Sequence, residues 1–161
     1  MIHSAAYQIY NIMKKSFFLI KVFLIYLFLI SNGITKQPDY LNKGIELFNK
    51  KEFSKSKILF EKNIVFNPKS EKGYLYLAKI FNNENNDEEQ EINLNNVLLL
   101  NPQNDEALYM LALLKIKQSD YDQAKELISQ FVLVCKSLCS KKIQIQEKLK
   151  KITPENVKNN N

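Results

Sequence analysis

Residues 67–102 read NPKSEKGYLYLAKIFNNENNDEEQEINLNNVLLLNP, a stretch that opens and closes on the same dipeptide, Asn67-Pro68 and Asn101-Pro102, with the prolines 34 residues apart. Each proline follows a run of apolar, helix-forming residues. Proline lacks a backbone donor and pushes the residue before it out of the helical region, so each Asn-Pro ends a helix. Other residues keep the same period. Gly44, Ala78 and Ala112 fall in register, as do Phe60, Leu94 and Ile128, and the helix-start candidates Glu52, Asn86 and Asp120. The pattern predicts antiparallel helix pairs, one per period. Two helices cross closely only over a very small side chain, which Gly44, Ala78 and Ala112 supply from the first helix of each pair and Ser56 and Ala124 from the second. Leu77 and Leu111, with Phe60, Leu94 and Ile128, are expected to fill the space between the helices.

A 34-residue helix–turn–helix period with this pattern resembles the tetratricopeptide repeat family, over roughly residues 37–138 as units 37–70, 71–104 and 105–138. The third unit, DEALYMLALLKIKQSDYDQAKELISQFV, is closest: Leu108, Leu111-Ala112, Tyr121, Ala124 and Ile128 stand where the family has a large residue, Leu-Gly or Leu-Ala, an aromatic, Ala and a large residue. The first unit matches through Tyr40, Gly44, Phe53, Ser56, Phe60 and Pro68, and departs at Lys43 and Asn63. In the second, Asp87 replaces the turn aromatic and Gln90 the small crossing residue. The resemblance implies an all-α solenoid of about three repeats.

Ahead of the repeats, residues 13–33 read MKKSFFLIKVFLIYLFLISNG. Met13-Lys14-Lys15 is a positive start, Ser16 to Ile30 an apolar run broken by Lys21, and Ser31-Asn32-Gly33 a small-x-small cleavage site, the layout of a secretory signal with its true start at Met13. The rival reading is a retained membrane anchor, with Lys21 snorkelling to the cytoplasmic face. Either way the lysines hold the N-terminus inside, and the repeats are expected outside the cytoplasm, periplasmic or membrane-anchored. No Cys follows the apolar run, which gives no support to lipoprotein attachment.

Helices are predicted near 38–50, 53–66, 71–83, 87–100, 105–117 and 121–138. Asn86 with Glu89 and Asp120 with Gln123 form capping-box patterns. The acidic run Glu84 to Glu91 reads as carboxylates complementing a helix dipole; a cation site would need a turn glycine and converging oxygens. Ser140 to Ile152 reads as a last helix, with Ile145, Leu149 and Ile152 on one side and lysines elsewhere, suited to cover the apolar end of a repeat stack over 139–152. The tail, 153–161, is expected to be disordered.

With 45% hydrophobic and 25% charged residues the chain has the composition of a folded helical domain. Its net charge of +6 comes from the two ends: Lys14, Lys15 and Lys21, and seven lysines from Lys136 onward against Glu147 and Glu155. There is no Arg and no basic stripe interleaved with aromatics, so no nucleic-acid partner is expected. The two cysteines, Cys135 and Cys139, would share one face of a continuous helix with side chains tilted the same way; reduced thiols are favoured, with a disulfide if the helix breaks at Ser137 to Ser140. Metal binding lacks His partners, since the lone His3 precedes the signal, and no catalytic or cofactor motif is present.

What remains is a protein-binding module. Stacked repeats present a concave surface lined by the first helix of each pair. The resemblance places groove positions at Leu41, Ile45, Phe48, Tyr76, Lys79, Asn82, Asn83, Tyr109, Leu113 and Ile116, with Leu41, Ile45 and Leu113 equally suited to packing against neighbouring helices. Only Lys79, Asn82 and Asn83 offer the polar grip that family members use on a C-terminal carboxylate, which favours a mostly apolar peptide or helix. Two functions stand: an exported adaptor in a cell-envelope assembly, or a membrane-anchored structural subunit whose repeats pack without a dedicated groove.

Overall fold

The computed structural model describes residues 13–26 and 39–152. The chain divides into two units, Met1–Pro38 and Asp39–Asn161. In the first, residues 13–26 form α1, whose apolar side chains from Phe17 to Tyr26 are exposed. Among the described residues no helix is long and apolar enough to cross a membrane. The cleavage site proposed at Ser31-Asn32-Gly33 and the tail 153–161 lie outside the described residues.

The second unit is all helical. Three antiparallel pairs follow one another: α2 (Tyr40–Asn49) with α3 (Phe53–Phe66), α4 (Glu71–Asn83) with α5 (Asp87–Leu100), and α6 (Asp105–Lys117) with α7 (Tyr121–Val134). A short 3₁₀ turn, Cys139–Lys141, leads into α8 (Lys142–Ile152), which packs on α7. The predicted helices 53–66, 71–83, 87–100 and 105–117 match these limits. The one predicted over 121–138 does not, because Cys135 turns out of the helix at φ −55°, ψ 140°.

Within each pair the turn is built the same way. Lys51, Asn85 and Ser119, 34 residues apart, all adopt positive φ (62°, 54° and 62°). The next N–H, of Glu52, Asn86 or Asp120, then reaches back 2.9 Å to the carbonyl of Leu47, Phe81 or Lys115. This is the Schellman closure of a helix, satisfying carbonyls that the last turn leaves open. It also revises the capping boxes. Asn86 and Asp120 do cap, their side chains each accepting an N–H at 3.2 Å, from Glu89 and Gln123. The return half of the box is absent, because the N–H groups of Asn86 and Asp120 are already committed to the preceding helix.

The crossing residues sit as expected. Gly44, Ser56, Ala78, Ala112 and Ala124 are all buried. The Ser56 hydroxyl donates to the Gly44 carbonyl at 2.9 Å, so this small polar residue is satisfied where the backbones approach. A Cβ at position 44 would lie 2.7 Å from the Phe60 ring, which explains Gly there when Ala serves opposite Leu94 and Ile128. Gln90, in place of a small residue, is also buried, and α4 and α5 still pack along their length.

The core forms three clusters, each drawn from three helices. Phe60, Leu77, Ile80 and Phe81 join α3 to α4, with Leu41, Ile45 and Phe48 of α2 against them. Leu75, Ala78, Leu94, Val97, Ala107, Leu111 and Leu114 join α4, α5 and α6. Leu108, Ala112, Ile116, Ala124, Ile128, Phe131, Ile145 and Leu149 join α6, α7 and α8. Leu77 therefore packs on Phe60 of the preceding pair, not on Leu94 of its own. Helix α8 continues the 34-residue register as one more first helix: Ile145 follows Leu111, and Leu149 follows Lys115. At its crossing position stands exposed Gln146 in place of Ala112.

Candidate functional site: the face of the first helices

Helices α2, α4 and α6 carry the proposed binding positions. Phe48, at the end of α2, meets Tyr76 of α4 edge-to-face with centroids 5.1 Å apart, and Phe53 at 5.3 Å. Tyr76 stacks on buried Phe60 at 5.0 Å, and Lys79 Nζ lies 4.8 Å over the Tyr76 ring. This makes a half-buried aromatic pair with a cation on its rim, an arrangement stabilised by ring quadrupoles and their attraction for cations. Asn82 and Asn83 follow on the next turn of α4, both exposed.

The remaining positions lie elsewhere. Tyr109 turns onto Phe131 of α7 at 5.6 Å and belongs to the last cluster. Ile116 is buried in that cluster and supports the surface from beneath. Leu113 is half-buried against the same cluster, while Leu41 and Ile45 pack on the first. Phe48, Tyr76 and Lys79 thus form one group, and Tyr109 with Leu113 a second, while Asn82 and Asn83 stand exposed at the end of α4.

The electrostatics of this face are largely internal. Lys79 pairs with Glu106 of α6 at 2.9 Å, so its charge is already answered. Lys115 of α6 is buried and pairs with Glu91 of α5, whose other oxygen accepts from Gln118 at 3.1 Å. The Lys115 hydrogen bond holds the Glu91 carboxyl below its ordinary range against the opposing push of burial. Lys57 reaches Glu84 at 3.0 Å and Lys117 reaches Asp87 at 2.6 Å. Three carboxylates of the acidic run, Glu84, Asp87 and Glu91, are therefore partners for lysines of the neighbouring helices α3 and α6, while Asp87, Glu88 and Glu89 stand in the first turn of α5, where the helix dipole favours them. Among the described residues, no group of three or more His, Cys, Asp or Glu side chains is placed to hold a metal ion.

The structure also joins Cys135 and Cys139 in a disulfide, with Cα atoms 5.2 Å apart, in place of the reduced pair favoured above. The reason is the end of α7. A continuous helix would tilt both side chains the same way, but Cys135 has extended backbone and Cys139 begins a 3₁₀ turn, so the two can face each other.

These helix pairs, stacked in register and followed by a single helix, define a helical-repeat fold. No family model matches the sequence, and no curated protein does. Solved structures do resemble the fold. The TPR2B domain of yeast Sti1, in its complex with pHsp70, superposes with a TM-score of 0.65 at 18% identity, over 71% of this chain and 96% of that one. The first TPR of Spaghetti (RPAP3), bound to the HSP90 peptide SRMEEVD, gives 0.60 at 13% identity over 68% and 90%. The Sgt2 TPR domain from Aspergillus fumigatus gives 0.59 at 16% identity over 69% and 77%. The chain has the tetratricopeptide-repeat fold.

Proposed function

We propose that this chain is a non-catalytic adaptor, exported from the cytoplasm, that holds a partner protein in a cell-envelope assembly by gripping a mostly apolar peptide or helix along its first helices. The observation that carries this reading is the Phe48–Tyr76 ring pair, half-buried with Lys79 over its edge and exposed Asn82 and Asn83 further along the same helix. Rigid aromatic anchors commonly dominate an interface, and exposed amides beside them suit a partner's backbone. With Lys79 committed to Glu106, little free positive charge remains for a carboxylate, which favours an apolar ligand. The similar folds of Sti1 and RPAP3 are seen with pHsp70 and an HSP90 peptide, which supports peptide binding as a use of this architecture. The Cys135–Cys139 disulfide supports an oxidising compartment, hence export.

A second reading, a subunit anchored through its apolar N-terminal segment, is favoured by the exposed Phe17, Phe18, Phe23, Leu24 and Ile25 on α1. Sequencing the mature N-terminus separates the two. Loss of the residues through Gly33 supports the adaptor, and retention of Met1 or Met13 the anchored subunit. For the groove, changing Phe48 and Tyr76 to Ala is expected to weaken capture of the partner crosslinked in intact cells by about 1–4 kcal/mol, with circular dichroism of the variant checking that its helices are formed. Normal capture by this double variant rules the groove out.

A further inference from the structure

The second helices carry a surface that the groove does not use. Val65, Leu99 and Leu133 occupy the same register position in the last turns of α3, α5 and α7 and are 73%, 80% and 84% exposed. Two turns earlier, Ile58 and Ile92 are also exposed, on the same faces of α3 and α5. Exposed Pro68 and Pro102 extend the row at two of the corners. Single exposed apolar residues are ordinary, but the same position left bare in three successive repeats is a ridge.

The segments that end at the corners of the ridge bring only positive charge of their own. Segments 62–70, 95–104 and 129–138 contain no Asp or Glu, and they bring exposed Lys62, Lys69 and Lys136 to the corners, with Lys141 just beyond. None of these four lysines takes part in a salt bridge among the described residues. The nearest carboxylates along α3 and α7 are Glu61, one turn before Val65, and Glu126, which takes the place of Ile58 and Ile92 in the third repeat; at the corners Glu71 is occupied by the side chains of Asn101 and Asn104, and Asp105 by the N–H groups of Lys136 to Leu138.

We propose that this ridge rests on an anionic lipid bilayer, inserting Val65, Leu99 and Leu133 between headgroups while Lys62, Lys69 and Lys136 meet lipid phosphates. Apolar side chains flanked by lysines are the chemistry of a membrane-surface element, each basic residue adding attraction to an anionic leaflet. The form of the surface selects lipid over protein. Helices α3, α5 and α7 pack on the first helices between them and not on one another, so the three side chains stand separately. A fluid interface accepts separate insertions, whereas a protein partner needs a packed, shape-complementary core.

The test uses the full chain with an environment-sensitive fluorophore on Leu99→Cys, the native cysteines being held in their disulfide, and on Asn82→Cys as the control on the first-helix face. Every variant carries the same N-terminal segment, so differences between labels report the repeats. On vesicles of phosphatidylcholine with phosphatidylglycerol, the label at position 99 should shift to the blue and the label at 82 should not. The shift should vanish on pure phosphatidylcholine, and on anionic vesicles when Lys62, Lys69 and Lys136 are all changed to Glu. Equal emission at the two positions, or a shift indifferent to lipid charge, overturns the proposal. So does a shift without vesicles that grows with protein concentration, which makes the ridge a contact between copies of the chain.

Discussion

Asp105 accepts the backbone N–H of Lys136 at 2.8 Å, a bond that spans nearly a whole repeat. The same carboxylate takes the N–H groups of Ser137 at 2.7 Å and Leu138 at 3.1 Å, and the Ser137 hydroxyl at 3.1 Å. One repeat earlier the need does not arise. Pro102 has no N–H, and the N–H groups of Gln103 and Asn104 are taken by the side chain and backbone oxygens of Asn101. There Glu71, the counterpart of Asp105, receives the side chains of Asn101 and Asn104 instead. At the third corner Cys135 replaces the asparagine and Lys136 the proline, which frees three donors and removes their acceptor. Asp105 supplies it.

Asp105→Ala should therefore lower stability by about 1–3 kcal/mol, the range for leaving polar groups without partners. Denaturant unfolding at neutral pH measures it. An unchanged midpoint would show that water serves the corner equally well.

The pH dependence has a definite sign. Burial pushes the Asp105 carboxyl up, but the hydrogen bonds from Lys136, Leu138 and Ser137 outweigh it and hold the group below its usual range. A carboxyl depressed by folding contributes stability that is present above its unfolded pKa, about 3.9, and lost as pH falls through the folded value. Unfolding followed from pH 6 to pH 2 should show a smaller acid loss in Asp105→Asn than in the native chain. Parallel curves would exclude Asp105 as a contributor.

Gly44 and Phe60 form a size-matched pair. Gly44→Ala gains about 1 kcal/mol of helix propensity but drives a methyl into a ring locked between helices, where overpacking costs about 1–3 kcal/mol, so a net loss is expected. Adding Phe60→Leu recreates the Ala78–Leu94 combination and should recover part of that loss. A double-mutant cycle reads the coupling directly, and strict additivity would contradict the contact.

The three positive-φ turn residues respond differently to glycine. Ser119→Gly and Lys51→Gly relieve a conformation that side chains disfavour by about 1–2 kcal/mol, offset in part by the greater freedom of glycine in the unfolded chain. Both should raise the melting temperature. Asn85→Gly should do so less, because asparagine already tolerates this region. Equal effects at all three positions would mean that the turns, not the residues, set the cost.

Reducing the Cys135–Cys139 bridge opens a very short loop, for which chain entropy gives about 2 kcal/mol. Hydrogen exchange with and without dithiothreitol should show protection falling in α7 and α8 and holding in α2 to α5. Loss spread evenly over the repeats would argue against a local effect.

The repeats were legible because their signals are periodic and local. Pro68 and Pro102 mark two corners, and the small residues 44, 78 and 112 mark the crossings. The third corner was not, since Cys135-Lys136 carries no helix-stopping residue and its stop depends on Asp105, far back in the chain. The positive-φ turns were hidden because no glycine marks Lys51, Asn85 or Ser119. Lys115 reads as a solvated charge until Glu91, 24 residues earlier, is brought beside it. At the candidate site Phe48, Tyr76 and Tyr109 come from three successive first helices but from different register positions, and the aromatic each ring packs against is a long-range choice: Phe60 draws Tyr76 and Phe131 draws Tyr109.

The three clusters have a further consequence for how the molecule is divided. Covalently the unit ends at Pro68 or Pro102, yet each cluster ends one helix later, at α4, α6 or α8. A cut at Pro68 would strip the cover from Leu77, Ile80 and Phe81, and one at Pro102 would take Ala107, Leu111 and Leu114 from Leu94 and Val97. A cut inside a pair does no better, since it would part Leu75 and Ala78 from Leu94 and Val97, or Leu108 and Ala112 from Ile128 and Phe131; α4 and α6 each serve two clusters, so the stack has no seam at which it divides without exposing apolar surface.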